Sequence, residues 1–204
     1  MAKLHFRYAT MNSGKSIDLM RIAHNYEENG LKVLILKPAI DTKAKENISS
    51  RIGIERKTDM TLLYSDDIME KLKGKLEGVA CILIDESQFL STKQVDDLFL
   101  ITKACDIPVV CYGLRNNFRM EAFAGSKRLL EIADTLETLK TLCICGKIAR
   151  FVGRKVGSSF VKEGEEVVID GETNITYVPL CGSCYLEKVD KVDLDKVRKE
   201  MMEV

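Results

Sequence analysis

No apolar stretch in these 204 residues approaches the roughly 20 that a membrane-crossing helix needs. The first residues, Met1-Ala2-Lys3-Leu4-His5, run straight into an alternating pattern and offer no apolar region of a signal peptide. No membrane partner is expected, and the expected compartment is the cytoplasm. Net charge is missing too, with 31 basic residues against 31 acidic ones. That removes the usual footprint of a phosphate-backbone binder, and there is no basic-aromatic stripe, so nucleic acid is not an expected partner. Repeats and low-complexity segments are also absent. What remains is ordinary globular usage, 46% hydrophobic and 30% charged, in a length that suits one domain or one domain with a small appendage.

The seven cysteines are an odd number, which argues against a disulfide framework and for reduced thiols or a metal. Cys81, Cys105 and Cys111 stand in apolar surroundings and are expected to fill the core as small hydrophobes. The other four come as close pairs.

Leu4, Phe6 and Tyr8 alternate with polar or basic neighbours and predict a strand. After Ser13-Gly14-Lys15-Ser16, the positions Leu19, Ile22, Ala23 and Tyr26 have helical spacing, and Gly30 supplies a stop. Lys32 to Leu36, closed by Pro38, is short and apolar like a buried strand, so the unit is a β-loop-α-β crossover with parallel pairing. Residues 41–57 are polar and predict a long loop. Ser65-Asp66-Asp67 predicts a cap for a helix reaching about Leu76, and Val79 to Ile84 is apolar without alternation, a strand covered on both faces. Ser91-Thr92-Lys93-Gln94 reads as a capping box, Pro108 to Tyr112 as a further core strand, and the stretch around Ala122 to Ile132 as a helix. Beyond about Leu142 the segments shorten and alternate, with strands expected at 167–169 and 176–178. The charged tail from Glu187, with Val189, Val192, Val197 and Met201 loosely spaced, predicts a solvated helix.

Ala9-Thr10-Met11-Asn12-Ser13-Gly14-Lys15-Ser16 follows the phosphate-loop pattern G-x-x-x-x-G-K-[S/T], with Ala9 in place of the first glycine. The physics asks for inward backbone amides at a helix N-terminus, where the dipole favours an anion. Lys15 then reaches the β- and γ-phosphates, and the Ser16 hydroxyl ligates Mg²⁺. Asp85-Glu86 directly follows the strand that ends at Ile84, where a second contact to Mg²⁺ is expected of Asp85. Glu86 would activate water in an ATPase or take the proton of an attacking hydroxyl in a kinase. Lys43, Arg51, Arg115 and Arg154 are loop cations available to a transferring phosphate.

Cys143-Ile144-Cys145-Gly146 and Cys181-Gly182-Ser183-Cys184 bracket the short alternating segments. Two thiol pairs on tight turns are what tetrahedral Zn²⁺ needs, and four thiolates with no open position indicate a structural site. The expected fold is α/β: a P-loop NTPase-type (RecA-like) parallel sheet flanked by helices, with a small zinc-binding β-rich subdomain. The expected division is 1–142 for the nucleotide-binding domain, 143–186 for the zinc subdomain and 187–204 for the tail.

Met-Asn-Ser-Gly-Lys-Ser at 11–16, Ser-Ser-Arg-Ile-Gly at 49–53, Asp-Glu-Ser-Gln-Phe at 85–89, Tyr-Gly-Leu-Arg-Asn-Asn-Phe at 112–118, the cysteine pairs and Tyr177 together resemble the zinc-containing thymidine kinase family of bacteria and animals. The resemblance runs from Leu4 to about Tyr185. It implies transfer of the γ-phosphate of ATP to the 5′-hydroxyl of thymidine, with Glu86 as general base and ATP bound by residues 9–16 with Asp85, Glu86, Ser87 and Gln88. It also implies a mostly apolar thymidine pocket drawing on Met11, Phe89, Leu114, Phe118, Val152, Arg154, Val168 and Tyr177. The base is then gripped largely by main-chain groups of a loop in the zinc subdomain, which leaves no side-chain signature. Lys43, in Asp41-Thr42-Lys43, stands where the family tends to have arginine. A homotetramer and feedback inhibition by thymidine triphosphate follow from the same resemblance. The rival readings are a zinc-ribbon P-loop ATPase acting on nucleic acid and a non-enzymatic nucleotide sensor.

Overall fold

In the computed structural model, which describes residues 1–39, 47–49, 53–164 and 174–203, the alternating start forms β1 (Leu4–Ala9) and the helical spacing after it forms α1 (Lys15–Glu28). The apolar run before Pro38 is β2 (Lys32–Pro38), followed by β3 (Asn47–Ser49), β4 (Glu55–Lys57) and β5 (Met60–Leu62). Then come α2 (Ile68–Leu72), β6 (Val79–Ile84), α3 (Thr92–Cys105), β7 (Val109–Leu114), α4 (Ala124–Ile132) and β8 (Thr135–Thr138). The remainder holds β9 (Phe151–Val156), β10 (Ser159–Val161), β11 (Ile175–Leu180), α5 (Gly182–Lys188) and α6 (Leu194–Met202).

Two compact units result. The first comprises Met1–Ala9, Gly14–Arg115 and Ala122–Leu139. Its sheet has the order β5-β2-β6-β7-β1-β8, and every pairing in it is parallel. Apolarity without alternation in β2 and β6 has a direct cause: both faces are covered. Leu34, Leu36, Ile82 and Ile84 join one buried cluster with Val95, Leu98 and Ile101 of α3, while Val33, Ile35, Cys81 and Leu83 join the other with Leu19, Met20 and Ala23 of α1. Each such Leu or Ile contributes about 1.5–3 kcal/mol. The α/β architecture expected from the sequence is therefore what forms.

The capping box is complete. Ser91 Oγ accepts from Gln94 N at 3.2 Å, and Ser91 N donates to Gln94 Oε1 at 3.0 Å. Gln94 Nε2 also donates to the carbonyls of Leu63 and Asp66 at 2.8 and 3.1 Å, so the cap grips the preceding loop. A polar knot ties three strands to α1: Asp18 accepts from Arg7 (2.9 Å) and Tyr112 (2.8 Å), and Arg7 pairs with Glu137 of β8 at 2.8 Å.

Four expectations need correction. Arg154 stands within β9 and not on a loop. The segment 41–57 is not loop throughout: β3 and β4 form an antiparallel hairpin with Ile48 opposite Arg56, while 40–46 and 50–52 lie outside the described residues. Arg56 of this hairpin pairs with Glu27 at 3.0 Å. The helix capped by Asp67 stops at Leu72 instead of Leu76, because Gly74 takes a left-handed φ of 71° and breaks it. Cys105 is exposed, unlike Cys81 and Cys111, because it ends α3 where the helix turns into Asp106.

The second unit comprises Thr10–Ser13, Asn116–Glu121 and Lys140–Val204. It carries an antiparallel sheet, β10-β9-β11, and the expected strand at 176–178 lies in β11; residues 167–169 lie outside the described ones. Gly153 of β9 is required by packing, since a Cβ there would fall 2.7 Å from Leu180 Cδ1 and 2.8 Å from Phe160 Cε1. A small core gathers Cys143, Ala149, Leu180, Cys181, Cys184, Tyr185 and Val189. The tail helix, α6, buries none of its residues. Among the described residues no helix is long and apolar enough to cross a membrane.

Candidate active site and metal centre

Ala9 ends β1, and the chain then turns through Asn12 (φ 62°) and Gly14 (φ 79°), both left-handed, before α1 begins at Lys15. No side chain caps α1, and the dipole at the start of a helix favours an anion. Lys15 is buried, and Ser16 Oγ lies 3.3 Å from Asp85 Oδ2. Within the second unit, the carbonyls of Met11 and Asn12 accept from the Thr10 and Thr141 hydroxyls at 3.3 Å each. Ser13 has a buried hydroxyl with no hydrogen-bond partner.

Asp85 is 2% exposed, and its Oδ1 has no hydrogen-bond partner. Burial, and then the charge of Glu86, raises its carboxyl to about 7, against the opposing pull of Lys37 and Lys15. A buried carboxylate with one orphan oxygen, beside a serine hydroxyl, is a donor set that fits Mg²⁺.

Glu86 stands half-buried with φ 53°, a left-handed conformation that costs a non-glycine residue on the order of 1–3 kcal/mol. It leads into a 3-10 turn, Ser87–Phe89. Gln88, 2% exposed, donates from Nε2 to Glu86 Oε2 at 2.5 Å and accepts on Oε1 from Leu114 N at 3.0 Å. Two glycines let this turn seat itself. A Cβ on Gly113 would sit 2.7 Å from Ser87 Oγ, and one on Gly125 2.6 Å from the Ser87 carbonyl. Phe89 packs edge-on against Phe123, with centroids 5.6 Å apart.

Sequence reasoning missed Lys37. It follows Leu36 at the C-terminal end of β2, and Asp85 N donates to the Leu36 carbonyl at 3.0 Å, so the two residues extend from adjacent strand ends. Its ammonium donates to the Asn47 carbonyl at 2.9 Å. The signal was available: a lysine just past an apolar strand, the same place that Asp85 takes on β6.

In the second unit the four thiols Cys143, Cys145, Cys181 and Cys184 lie with their sulfurs all within 4.8 Å of one another, and Cys145 and Cys181 are 3.6 Å apart. Tetrahedral zinc with bonds of about 2.3 Å spaces its sulfurs by about 3.8 Å. The first pair sits on a tight turn in which Cys143 N donates to the Lys147 carbonyl (2.8 Å) and Gly146 N to the Cys143 carbonyl (2.9 Å). A hydrogen bond from the Lys147 backbone, then one involving Cys143, lowers the Cys145 thiol to about 7, while burial pushes Cys184 up to about 12. Four sulfurs this close fit a zinc ion, which would stabilise all four as thiolates.

The same unit carries Phe118 at 2% exposure with the Arg119 and Arg154 guanidinium groups each 5.0 Å from its ring centre. Tyr185 Oη donates to the Phe118 carbonyl at 2.5 Å. Tyr177 stands opposite Arg154 in the β11–β9 ladder, and Val152, 3% exposed, opposite Pro179. Of the other residues expected to contact thymidine, Met11 is half-buried in the second unit, while Phe89 and Leu114 are half-buried in the first, as is the loop cation Arg115. Lys43, Arg51 and Val168 lie outside the described residues.

A family model described as thymidine kinase matches residues 2–185. Curated relatives of that name include one from Streptococcus gordonii, 43% identical over 189 residues that cover 92% of this chain and 97% of the relative. Another, from Streptococcus agalactiae, is 42% identical over 187 residues, covering 91% and 97% respectively. A third, from Lactococcus lactis, is 42% identical over 189 residues, covering 92% and 98%.

Proposed function

Because this chain belongs to the thymidine kinase family, its activity is transfer of the γ-phosphate of ATP to the 5′-hydroxyl of thymidine, and we propose that Glu86 is the general base of that transfer. The observation that supports this most is the carboxylate pair at the end of β6. Asp85 is buried beside Ser16 with an orphan oxygen, while Glu86, in a left-handed backbone, accepts from Gln88 Nε2. One carboxylate is thus set to receive a metal ion and the other to accept a proton.

The amides at the start of α1 and the Lys15 ammonium bind the β- and γ-phosphates. Ser16 and Asp85 would hold magnesium, which supplies charge neutralisation between the phosphates. Lys37 adds a second fixed positive charge near the reacting group. Glu86 takes the proton from the 5′-hydroxyl as that oxygen attacks phosphorus, and ADP leaves with the electron pair of the broken bond. Residues 1–142 then carry the nucleotide chemistry, and the cysteine-bracketed part carries base recognition. Within that part Tyr177 offers a flat ring for a pyrimidine, with main-chain groups supplying its hydrogen bonds. A thymine methyl group is worth about 1–3 kcal/mol in such a slot, which makes deoxyuridine a poorer substrate.

The cysteine cluster holds a structural zinc, and four reduced thiols in one cluster suit the cytoplasm. Family membership supports a homotetramer inhibited by thymidine triphosphate. The test is label transfer from γ-labelled ATP to thymidine, deoxyuridine, deoxycytidine and deoxyadenosine. Label on thymidine, less on deoxyuridine and little on the others is expected. Phosphate release stimulated by DNA, with no labelled nucleotide formed, would overturn the proposal.

A further inference from the structure

We propose that Gln88 is a positioning residue for catalysis, a buried amide that fixes where the Glu86 carboxylate stands by anchoring it to the backbone of Leu114. This deepens the reading of Glu86 as general base and rests on it.

The argument starts from what each partner is able to do. The Leu114 backbone N–H only donates, and an ionised Glu86 carboxylate only accepts. An amide bridging the two has one orientation that satisfies both, with Oε1 toward Leu114 (3.0 Å) and Nε2 toward Glu86 (2.5 Å). Gln88 is 2% exposed, so water cannot replace either bond cheaply. Leu114 is itself held, because its carbonyl accepts from Ser126 Oγ at 2.5 Å. The anchor is therefore a fixed strand end on β7, and the amide spans from it to the carboxylate.

The surroundings reinforce the same geometry. Gly113 and Gly125 leave no room for a Cβ, so the turn that carries Gln88 is seated against β7 and α4 with little play. Glu86 sits in a left-handed backbone, with φ 53°, next to the buried Asp85. One further restraint is needed to stop that side chain from swinging, and the Gln88 amide supplies it. Main-chain contact with ATP does not require this: a residue whose side chain is buried and used up between Glu86 and Leu114 has its amide group spent on the carboxylate.

The experiment is a double-mutant cycle on kcat. Gln88→Met keeps the length and apolar bulk of the side chain and removes both hydrogen bonds. Gln88→Glu keeps the volume and the acceptor for Leu114 but replaces the amide donor with a second carboxyl against Glu86. Each is made in the native chain and in Glu86→Gln, with ATP dissociation constants measured by calorimetry. Misplacing a reacting group by about 1 Å costs ~10²-fold in rate. We expect kcat to fall by about that factor in both Gln88 variants, with ATP affinity within about threefold of the parent. In the Glu86→Gln background the same substitutions should leave the residual rate unchanged, because the group they position is gone. If both Gln88 variants lower kcat equally in the two backgrounds, or if ATP affinity falls along with kcat, Gln88 does not act through Glu86. A loss from poor folding alone also appears in both backgrounds and so counts against the proposal. If Glu86→Gln itself leaves kcat unchanged, the general-base reading fails and is recognised as the cause.

Discussion

Gly113→Ala tests how tightly the Ser87–Phe89 turn is held against β7. The φ of Gly113 is not in the left-handed region, so alanine is conformationally acceptable and the effect is purely one of space. The added methyl would sit 2.7 Å from Ser87 Oγ, 2.9 Å from Gln88 Oε1 and 3.1 Å from Gln88 N. Something must move by roughly half an ångström or more. Overpacking of this kind costs about 1–3 kcal/mol, and loss of the Leu114–Gln88 hydrogen bond adds about 1 kcal/mol. At roughly 2–4 °C per kcal/mol for a chain of this size, Tm should drop by about 5–15 °C. Thermal melts followed by circular dichroism at one protein concentration read the first effect, and label transfer to thymidine reads the second. Displacing the amide should cut kcat by about 10-fold or more. Ser87→Ala provides the internal control. Its Oγ has no hydrogen-bond partner, so removing it costs little while clearing the nearest clash. The double variant Ser87→Ala/Gly113→Ala should recover much of the Tm and little of the kcat, because Gln88 Oε1 remains in the way. A Gly113→Ala protein with unchanged Tm and kcat would refute this account of the turn, and full recovery of kcat in the double variant would show that Gln88 was never displaced.

Other substitutions probe the rest of the molecule. Glu86→Gln should leave ATP binding nearly intact and reduce turnover by the ~10²–10⁴-fold typical of a lost general base; an unaltered rate removes Glu86 from the mechanism. Metal analysis should find about one zinc per chain, lost in Cys181→Ser along with cooperative unfolding, whereas a metal-free, fully active preparation would contradict the structural role. Asp134 accepts from Lys103 at 2.6 Å and from Leu4 N at 2.7 Å, and the Lys103 bond above all holds its carboxyl below the ordinary value, against the effect of burial. A depressed carboxylate stabilises the fold above its unfolded pKa and loses that contribution as pH falls through the folded one. Urea midpoints of Asp134→Asn should therefore lie below those of the parent near pH 7, and the gap should close as the solution is acidified to about pH 3. A gap independent of pH would mean that the carboxylate charge has no part in it.

What could be read from the sequence, and what could not, divides along physical lines. The phosphate loop, the Asp85-Glu86 pair and the two cysteine pairs were legible because each is contiguous and sits at a strand end or tight turn that local pattern marks. The parallel sheet was legible because β2 and β6 are apolar on both faces. The hairpin of β3 and β4 was not: among its described side chains only Ile48 is fully buried, and the rest are exposed or polar, so no alternation shows. Nor was α5, whose seven residues begin right after Cys181 and read as a metal-binding turn. The bridge from Leu114 through Gln88 to Glu86, the Arg7–Asp18–Tyr112 knot and the place of Lys37 beside Asp85 all join residues distant in sequence. Spacing carries no trace of such contacts. Exposure of Cys105 was missed because apolar neighbours in sequence do not say which side of a helix end faces solvent.

The position of β1 has a consequence for how the chain comes into being. It precedes every other strand of its sheet in the chain, yet it lies between β7 and β8, with Leu4 against Val109 and His5 against Thr135. At a synthesis rate of about 5–20 residues per second, the earliest strand waits on the order of ten seconds before either neighbour exists. The residues that follow β1, proposed above to cradle polyphosphate, therefore have no finished sheet behind them until β7 and β8 have both been made.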